Sequence, residues 1–267
     1  MHVARGLDRL PPSDHPVFIV VGVFDGLHLG HRYLLAHLVA EARARDARPV
    51  VVTFDHHPDE IITGSAPPLL CDPDERFARM EEAGVETVVV VHFDQAMRET
   101  AYDDFVARLA ARAPLAGFLM TPDAAFGFRR QGTPEALAEL GRQQGFEVVV
   151  VPPFELEGRP VRSTEVRRAI SSGDLGLASA LLGRLHTVVG DAGPGADGEG
   201  SELRFALPVA LPPDGVWEAQ VEAADRSAGA EVVVVRAGRV VLARRGIVGR
   251  TRVSFVRRAG GDEVAAA

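Results

Sequence analysis

The chain has 267 residues, a formal net charge of −8 and a single cysteine, Cys71. The acidic balance disfavours general attraction to nucleic acid, and one cysteine excludes an intramolecular disulfide and a cysteine cluster for zinc. No apolar run approaches the roughly 20 residues that cross a bilayer, and the first residues lack the apolar core of a secretory signal. We therefore expect a globular, cytoplasmic protein with no nucleic-acid or membrane partner. These features do not indicate an oligomeric state.

Arginine and histidine supply every basic side chain, because the sequence contains no lysine. A Walker-type phosphate loop needs a lysine, and so does a Schiff-base enzyme, so both classes are excluded. Any phosphate that a cation holds in this protein must be held by arginine or by protonated histidine.

Short β-branched apolar runs alternate with helical stretches through the first two thirds of the chain. Because the strand segments are apolar throughout, this alternation predicts an α/β fold with a parallel sheet covered by helices on both faces. The predicted strands are 17–21, 49–54, 87–93, 116–120 and 147–151. The predicted helices are 29–45, 73–83, 102–113, 134–144, 164–171 and 176–182.

The pattern changes after Leu185. Residues 191–201 are rich in glycine, proline and acidic side chains, which predicts a mobile loop or linker. A small antiparallel, barrel-like β domain is predicted beyond it. Its strand-like segments are 203–209, 216–223, 231–236, 239–243 and 250–256. We place the domain boundary so that residues 1–185 form the first domain and residues 186–267 the second.

Residues 22–31 read GVFDGLHLGH, follow the first predicted strand directly and open the first long helix. The first and fifth residues of this segment are glycines, which permit a tight turn. The helix N-terminus offers unpaired N–H groups and a positive dipole end to an anion. His28 and His31 lie three residues apart on one face of the first turn, and Gly30 keeps that face open. Such imidazoles donate hydrogen bonds to phosphate oxygens as charge builds up in a displacement reaction.

A metal site is the alternative interpretation of the His-x-x-His pair, since two histidines on one helix face also ligate zinc. The preceding strand, the two glycines and the following helix favour the phosphate site. His37 lies on the same predicted helix without comparable neighbours, and we expect it to be a surface residue.

Several segments, in the same order along the first 185 or so residues, resemble the motifs of bacterial FAD synthetases. That family is the adenylyltransferase module of the bifunctional riboflavin kinase/FMN adenylyltransferases. Residues 22–31 resemble G-x-F-D-G-x-H-x-G-H, and residues 53–58 (TFDHHP) resemble T-F-x-P-H-P. Residues 123–132 (DAAFGFRRQG) resemble D-F-x-F-G-x-x-R-x-G, and residues 162–167 (RSTEVR) resemble S-S-T-x-I-R. Residues 181–184 (LLGR) resemble the sequence that closes the module.

The resemblance implies a Rossmann-like nucleotidyltransferase domain. In that family the terminal phosphate of FMN attacks the α-phosphorus of ATP, with Mg²⁺ present and pyrophosphate leaving. The catalytic residues implied are His28, His31, Ser163, Thr164 and Arg167. The nucleotide-binding residues implied are Gly22, Val23, Phe24, Asp25, Gly26, Gly30, Asp123 and Arg130. The acceptor-binding residues implied are His57, Pro58, Phe126 and Gly127. The metal ligands are left unassigned, with Asp123 a candidate for either the ribose or the magnesium ion.

Ser163 and Thr164 come at the start of a predicted helix, where hydroxyl groups bind phosphate but also cap N–H groups. Without the resemblance, an ordinary N-cap is the preferred interpretation. With it, Arg167 becomes the cation for the leaving pyrophosphate. Phe126 offers an aromatic face to a flavin ring, although a single aromatic side chain is more commonly a core residue.

The chain departs from the family pattern at four positions. His56 replaces the proline of the second motif, and Arg162 replaces the first serine of the fourth. Ala124 replaces an aromatic residue, and Thr133 an acidic one. The first motif is intact, so we expect the chain to bind ATP. The altered segments are expected to border the acceptor. The alternatives to FMN as the acceptor are therefore a different flavin or another phosphorylated molecule.

The second module of the bifunctional family is a β-barrel riboflavin kinase with the signature G-R-x-x-G-F-P-T-A-N. Residues 190–205 fall in that place and contain no Pro-Thr-Ala-Asn run. We therefore expect a degenerate riboflavin kinase-like domain without kinase activity. The leading hypothesis is an FMN adenylyltransferase whose partners are small-molecule substrates. The alternatives are a related nucleotidyltransferase with another acceptor and a non-catalytic sensor that binds flavin or nucleotide.

Overall fold

The computed structural model describes residues 1–195, 200–223 and 226–260. The chain divides into two compact units. The first comprises Met1–Pro67 and Arg76–Pro160, and the second comprises Pro68–Glu75 and Val161–Ala267. No helix in the described part of the chain is long and apolar enough to span a bilayer.

Six parallel strands form the sheet of the first unit within residues 1–160. In chain order they are β1 (His2–Arg5), β2 (Val17–Val21), β3 (Arg48–Phe54), β4 (Thr87–Val91), β5 (Leu115–Met120) and β6 (Glu147–Val150). Hydrogen bonding orders them β1-β4-β3-β2-β5-β6, and each neighbouring pair is parallel. The predicted parallel α/β sheet is confirmed. Strand β1 is not predicted from the sequence. Three of its four residues are exposed, so the strand has no continuous run of apolar side chains.

The central strands are buried on both faces, as their continuous apolar sequence requires. In β2, Val17 and Ile19 belong to one core cluster, while Phe18 and Val20 belong to the other. In β4, Val89 contributes to the first cluster in the same way, with Val88 and Val90 in the second. Helices therefore cover the sheet on both sides, and the carboxyl ends of the strands are left to build a site.

The α-helices up to residue 160 are α1 (Leu29–Ala44), α2 (Asp59–Thr63), α3 (Pro73–Glu82), α4 (Gln95–Glu99), α5 (Tyr102–Ala110) and α6 (Pro134–Gln144). Helices α1, α3, α5 and α6 agree with the predicted ones to within a few residues at each end. The pattern does not predict α2 and α4, because five residues are too few to show a helical period. A short antiparallel hairpin of β7 (Glu155–Leu156) and β8 (Arg159–Pro160) ends the first unit.

The second unit combines two helices with a closed antiparallel barrel. The helices are α7 (Ser163–Ser172) and α8 (Leu175–Leu182). Over the described residues the barrel strands are β9 (His186–Pro194), β10 (Ser201–Arg204), β11 (Gly215–Ala223), β12 (Arg226–Arg236), β13 (Arg239–Leu242) and β14 (Gly249–Arg258). They close in the order β10-β13-β12-β11-β14-β9, which confirms the predicted barrel-like domain. Trp217 and Phe255 are among the largest side chains of its core.

The predicted linker at 191–201 is wrong over its first part. Asp191 to Pro194 continue β9, with Ala192 opposite Leu203 and Pro194 opposite Ser201 of β10. Of the described glycines in this segment, Gly200 has a packing reason, because a Cβ there would collide with the Leu242 carbonyl oxygen, whereas a Cβ on Gly193 would meet no atom within 4 Å. Residues 196–199 of the predicted linker lie outside the described residues. The strand predicted at 203–209 is also wrong beyond residue 204, where β10 ends.

Candidate active site

A tight turn connects β2 to α1 and carries most of the nucleotide-binding residues predicted for the first unit. Phe24 and Leu27 have positive φ angles of 56° and 39°, and Gly26 has a φ of 80°. The side chains of Phe24, Asp25 and Leu27 are buried. Their burial offsets the strain of left-handed backbone at residues that carry a Cβ. Gly22 leaves room for the Phe24 ring, which would lie 3.0 Å from a Cβ at that position.

Two side chains hold the backbone carbonyl of Val23, at the start of this turn. The hydroxyl of Thr53, near the end of β3, donates to it at 3.0 Å, and Nη1 of Arg76 donates at 3.1 Å. Nη2 of Arg76 donates to the Phe54 carbonyl at 3.2 Å. A buried guanidinium is costly without such partners. Arg76 therefore ties the turn to the end of β3.

Arg76 is a site residue that the sequence pattern does not reveal. It lies in α3, whose sequence PDERFARMEE is mostly charged, and such a run is typical of a solvated helix face. Its spacing of four residues from the buried Met80 is the one signal that places it on the inner face of the helix.

The two predicted histidines lie side by side at the amino end of α1. His28 is the N-cap, and its Nδ1 accepts a hydrogen bond from the His31 N–H at 3.2 Å. This bond places the proton of a neutral His28 on Nε2. The two rings are stacked, with centroids 3.7 Å apart and an interplanar angle of 17°. Gly30 is half-buried between them.

His31 is held in its neutral form. Burial, the neighbouring His28 and the Arg76 guanidinium keep the pKa of His31 well below its usual range. Its Nδ1 is buried and has no hydrogen-bond partner among the described residues. Close stacking is therefore possible without repulsion between two imidazolium charges. The pair offers N–H donors to an anion at a helix N-terminus, where the dipole also favours negative charge.

His37 lies at the surface of α1, where its side chain is half-buried. Its Nδ1 lies 2.9 Å from the Tyr33 carbonyl, and its ring packs against the Tyr33 ring at a centroid distance of 4.2 Å. The Tyr33 ring covers part of the His37 side chain. The spacing of apolar residues along the helix does not predict this contact.

A cavity of about 760 Å³ opens in the first unit beside the turn, a size typical of small-molecule sites. Gly22 and Val23 form part of its wall. Aromatic rings line much of it, namely Phe54, Phe93, Phe105, Phe118, Phe126 and Phe128. Three arginines also line it, namely Arg98, Arg129 and Arg130.

The cavity brings together the residues predicted for the acceptor and part of those predicted for the nucleotide. The predicted residues that line it are Gly22, Val23, His57, Pro58, Phe126, Gly127 and Arg130. The predicted residues of the first unit that do not line it are Phe24, Asp25, Gly26, His28, Gly30, His31 and Asp123. Gly22 and Val23, the first residues of the turn, therefore line the cavity. His28 and His31, at the amino end of α1, do not.

A compact loop after β5 supplies one side of the cavity. Phe126 and Gly132 exchange two backbone hydrogen bonds across the loop, at 3.3 and 2.9 Å. Gly127 has a φ of 76°, and a Cβ there would lie 2.6 Å from the backbone nitrogen of Tyr102. Only glycine fits such a close approach. The Phe126 ring packs against Phe105 at a centroid distance of 5.0 Å, so its position between core and cavity is fixed.

The polar residues of this region are held by local hydrogen bonds. Nδ1 of His57 accepts from the Asp59 N–H at 3.2 Å, which directs the proton of a neutral ring to Nε2. Oδ1 of Asp123 accepts from the Thr121 hydroxyl at 2.9 Å. Nη2 of Arg130 donates to the backbone carbonyl of Asp123 at 2.9 Å. Asp123 and Arg130 therefore adjoin each other, although only Arg130 lines the cavity.

The remaining three predicted residues belong to the second unit. Arg162 is the N-cap of α7, so Ser163 and Thr164 are the first two helical residues. Nε of Arg167 donates to the Pro68 carbonyl at 2.8 Å, a bond within the same unit. The helix that carries these groups therefore begins one residue earlier than predicted. Its first residues carry two hydroxyl groups, and a guanidinium follows one turn later.

Comparisons with known proteins give relatives for most of the chain. A family model described as FAD synthetase matches residues 10–165. The bifunctional riboflavin kinase/FMN adenylyltransferase of Pseudomonas fluorescens is 33% identical over 191 residues, covering 71% of this chain and 61% of that protein. The protein of the same name from Escherichia coli K12 is 32% identical over 193 residues, covering 71% and 62%. The chain thus spans about three fifths of the length of these relatives.

A solved structure described as a macrolide-efflux protein from Streptococcus pneumoniae shares the fold. Its TM-score is 0.81 at 24% sequence identity, and the match covers 96% of this chain and 89% of that one. The fold of both units is therefore seen in another protein.

The family model covers the motif segments 22–31, 53–58 and 123–132 and more than half of the chain. This chain belongs to the FAD synthetase family, whose members are nucleotidyltransferases.

Proposed function

We propose that this chain is an FMN adenylyltransferase, which transfers AMP from ATP to FMN and releases pyrophosphate. The observation that carries the proposal is the cavity whose wall includes Gly22 and Val23 of the turn. Its aromatic side chains suit a flat flavin ring, and Arg98, Arg129 and Arg130 suit a phosphate group. An acceptor that has both a ring and a phosphate therefore fits beside the turn.

The reaction makes one bond and breaks one. An oxygen of the FMN phosphate bonds to the α-phosphorus of ATP, and the bond from that phosphorus to the oxygen bridging to the β-phosphate breaks. The electron pair leaves with pyrophosphate. Since the attacking phosphate is already an anion, no protein nucleophile is needed. ATP enters as its Mg²⁺ complex, and this ion of the substrate offsets part of the phosphate charge.

The protein must align two polyanions and stabilise the charge that develops between them. We assign this task to the stacked histidines. His28 donates through Nε2, because its Nδ1 accepts the His31 N–H. His31 donates as a neutral imidazole, because its pKa lies well below the usual range. Donors that are already in place need no reorganisation when the charge appears.

Ser163, Thr164 and Arg167 are proposed to bind the triphosphate of ATP. They lie on the first two turns of α7, and a helix N-terminus favours an anion. The bond from Arg167 to the Pro68 carbonyl orients the guanidinium. Replacing Arg167 with alanine is expected to raise the KM for ATP about 10-fold or more, the value of a charge-assisted hydrogen bond, with a smaller effect on the KM for FMN. Equal KM values for ATP in the variant and the parent chain would remove Arg167 from the site.

We further propose that the barrel does not phosphorylate riboflavin. Residues 190–205 contain no Pro-Thr-Ala-Asn run, and Asp191 to Pro194 form the end of β9. Incubation of the purified chain with riboflavin and Mg²⁺-ATP is expected to give no FMN. Its formation at a rate above the background without protein would overturn this part of the proposal.

A substrate panel tests the adenylyltransferase. The purified full chain is incubated with Mg²⁺, FMN and each of the four common nucleoside triphosphates, and the dinucleotide and pyrophosphate are both measured. The proposal expects FAD and pyrophosphate in equal amounts from ATP. Pyrophosphate release only with another phosphorylated acceptor would replace FMN as the substrate. Tight flavin or nucleotide binding without turnover would instead identify a sensor.

A further inference from the structure

A second cluster of polar side chains lies in the first unit, at the carboxyl edge of the sheet. Asp55 and His56 directly follow β3, and His92 directly follows β4. The two strands are parallel neighbours, with Phe54 opposite Val91 at their ends. Parallel pairing therefore brings the three side chains to one place.

The three residues present ligand atoms at short distances. Nδ1 of His92 lies 2.6 Å from Oδ2 of Asp55, and Nδ1 of His56 lies 3.2 Å from Oδ1 of Asp55. One ligand atom from each residue can be chosen so that all lie within 4.8 Å of one another. Tetrahedral zinc, with bonds of about 2.0–2.2 Å, holds its ligand atoms about 3.3 Å apart. The 2.6 Å contact of His92 with Asp55 and the 4.8 Å limit for the whole set lie on either side of this spacing.

The carboxylate of Asp55 is already oriented for this role. Its Oδ1 accepts the backbone N–H of His56 at 2.8 Å and that of Phe93 at 3.2 Å. Oδ2 faces His92. Hydrogen bonds of this kind fix the direction of metal-ligating carboxylates.

The histidine pair of the turn is a less suitable metal site. The rings of His28 and His31 are stacked face to face, and no third ligand joins them among the described residues. The cluster at the sheet edge has three ligand side chains and open access to solvent, since the side chains of His56 and His92 are 44% and 66% exposed. His56 also stands where the family motif has proline, so this ligand set is a feature of the chain and not of the motif.

We propose that Asp55, His56 and His92 bind a divalent transition-metal ion of the Zn²⁺ class, with water completing its coordination. Two imidazoles and one carboxylate suit Zn²⁺, Co²⁺, Ni²⁺ and Cu²⁺ better than they suit Mg²⁺. The ion joins the ends of two strands whose adjacent residues Phe54 and Phe93 line the cavity. It therefore stabilises this part of the cavity wall. The proposal does not depend on the adenylyltransferase assignment.

Zinc binding to the full chain, purified without a histidine tag and stripped of metal, tests the proposal. Affinity is measured by competition with a chromophoric chelator in the presence of excess Mg²⁺. We expect one Zn²⁺ per chain for the parent protein. Loss of a ligand in His92→Ala or His56→Ala is expected to weaken binding at least about 10-fold, because even outer contacts of metal ligands contribute that much.

Two further variants distinguish this cluster from other histidines. His15→Ala removes an exposed histidine distant in sequence, and His31→Ala removes the competing pair at the turn. Both are expected to keep the parent affinity for Zn²⁺, and Co²⁺ is expected to develop visible absorption in them but not in His92→Ala. Absence of Zn²⁺ binding by the folded parent chain would overturn the proposal. So would equal affinity of His92→Ala, or a loss of affinity confined to His31→Ala.

Discussion

Each unit contains a histidine whose pKa is lowered, and the two side chains have different neighbours. His31 stacks on a second histidine at the amino end of a helix, next to a turn with three positive φ angles. His186 is fully buried in the barrel, where its Nε2 bonds to the Ala210 carbonyl at 2.8 Å and its ring stacks on Phe255. A perturbed pKa therefore does not mark a functional site by itself. Beside His31 lie the amino end of α1 and a second imidazole, whereas His186 is enclosed in the barrel core.

The largest expected effect is a loss of catalytic activity when a histidine of the turn in the first unit is replaced. His28→Ala or His31→Ala is expected to lower kcat for FAD formation about 100-fold or more, because each removes an imidazole that we propose donates to the developing charge. Steady-state kinetics with FMN and Mg²⁺-ATP measure this loss. His37→Ala, a half-buried histidine on the same helix, serves as the matched control and is expected to keep kcat within a few-fold of the parent value. Unchanged kcat in the first two variants would remove the histidines from the mechanism.

Glycine substitutions test whether the cavity wall depends on close backbone packing. Gly127 and Gly64 have similar φ angles, 76° and 82°, but a Cβ at Gly127 meets Tyr102 whereas one at Gly64 has no atom within 4 Å. Gly64→Ala is expected to cost only the left-handed backbone penalty of about 1–2 kcal/mol. Gly127→Ala is expected to lower the free energy of unfolding by about 1–3 kcal/mol more, through overpacking, and to weaken FMN binding.

Urea unfolding of the first unit and fluorescence titration with FMN measure these two effects. If Gly127→Ala and Gly64→Ala behave alike in both assays, the loop does not shape the cavity in the way described here.

The smallest effect concerns the stability of the barrel at mildly acidic pH. Burial lowers the pKa of His186 from 6.5 to about 4, against the opposing effect of its bond to Ala210. Well above pH 6.5 the histidine is neutral whether the barrel is folded or not. As the pH falls below 6.5, only the unfolded barrel takes up the proton, so stability decreases. Between pH 7 and pH 5 this linkage amounts to about 2 kcal/mol.

Trp217, the single tryptophan of the sequence, lies in the barrel core and reports its unfolding by fluorescence. The variant His186→Phe is expected to lose this part of the pH dependence, whatever its stability at pH 7. A parallel decline of parent and variant between pH 7 and pH 5 would show that His186 does not titrate as described.

The sequence predicted the features that arise from local pattern. Continuous valine runs predicted the central strands, because a strand buried on both faces needs apolar side chains at every position. The turn is predicted because Gly26 and the two histidines have a characteristic spacing between a strand end and a helix start. Features that depend on contacts between distant segments were not predicted. Arg76 reaches Val23 from another helix, and Asp55 meets His92 only because two strands pair.

The linker error has the same origin. Glycine and proline in the predicted linker at 191–201 indicate a loop when they are considered alone, but Asp191 to Pro194 form the end of β9. Pairing with β10 and β14 satisfies the backbone of this segment, and that pairing cannot be recognised from its own composition.

One labelling measurement compares the two units directly. The full chain is incubated with Mg²⁺ and ATP labelled at the α-phosphate, with either FMN or riboflavin as the flavin. We predict labelled FAD from FMN at the same rate as pyrophosphate appears, and no labelled FAD and no FMN from riboflavin. Unlabelled or absent FAD in the FMN reaction would contradict the proposed transfer of AMP from ATP to FMN.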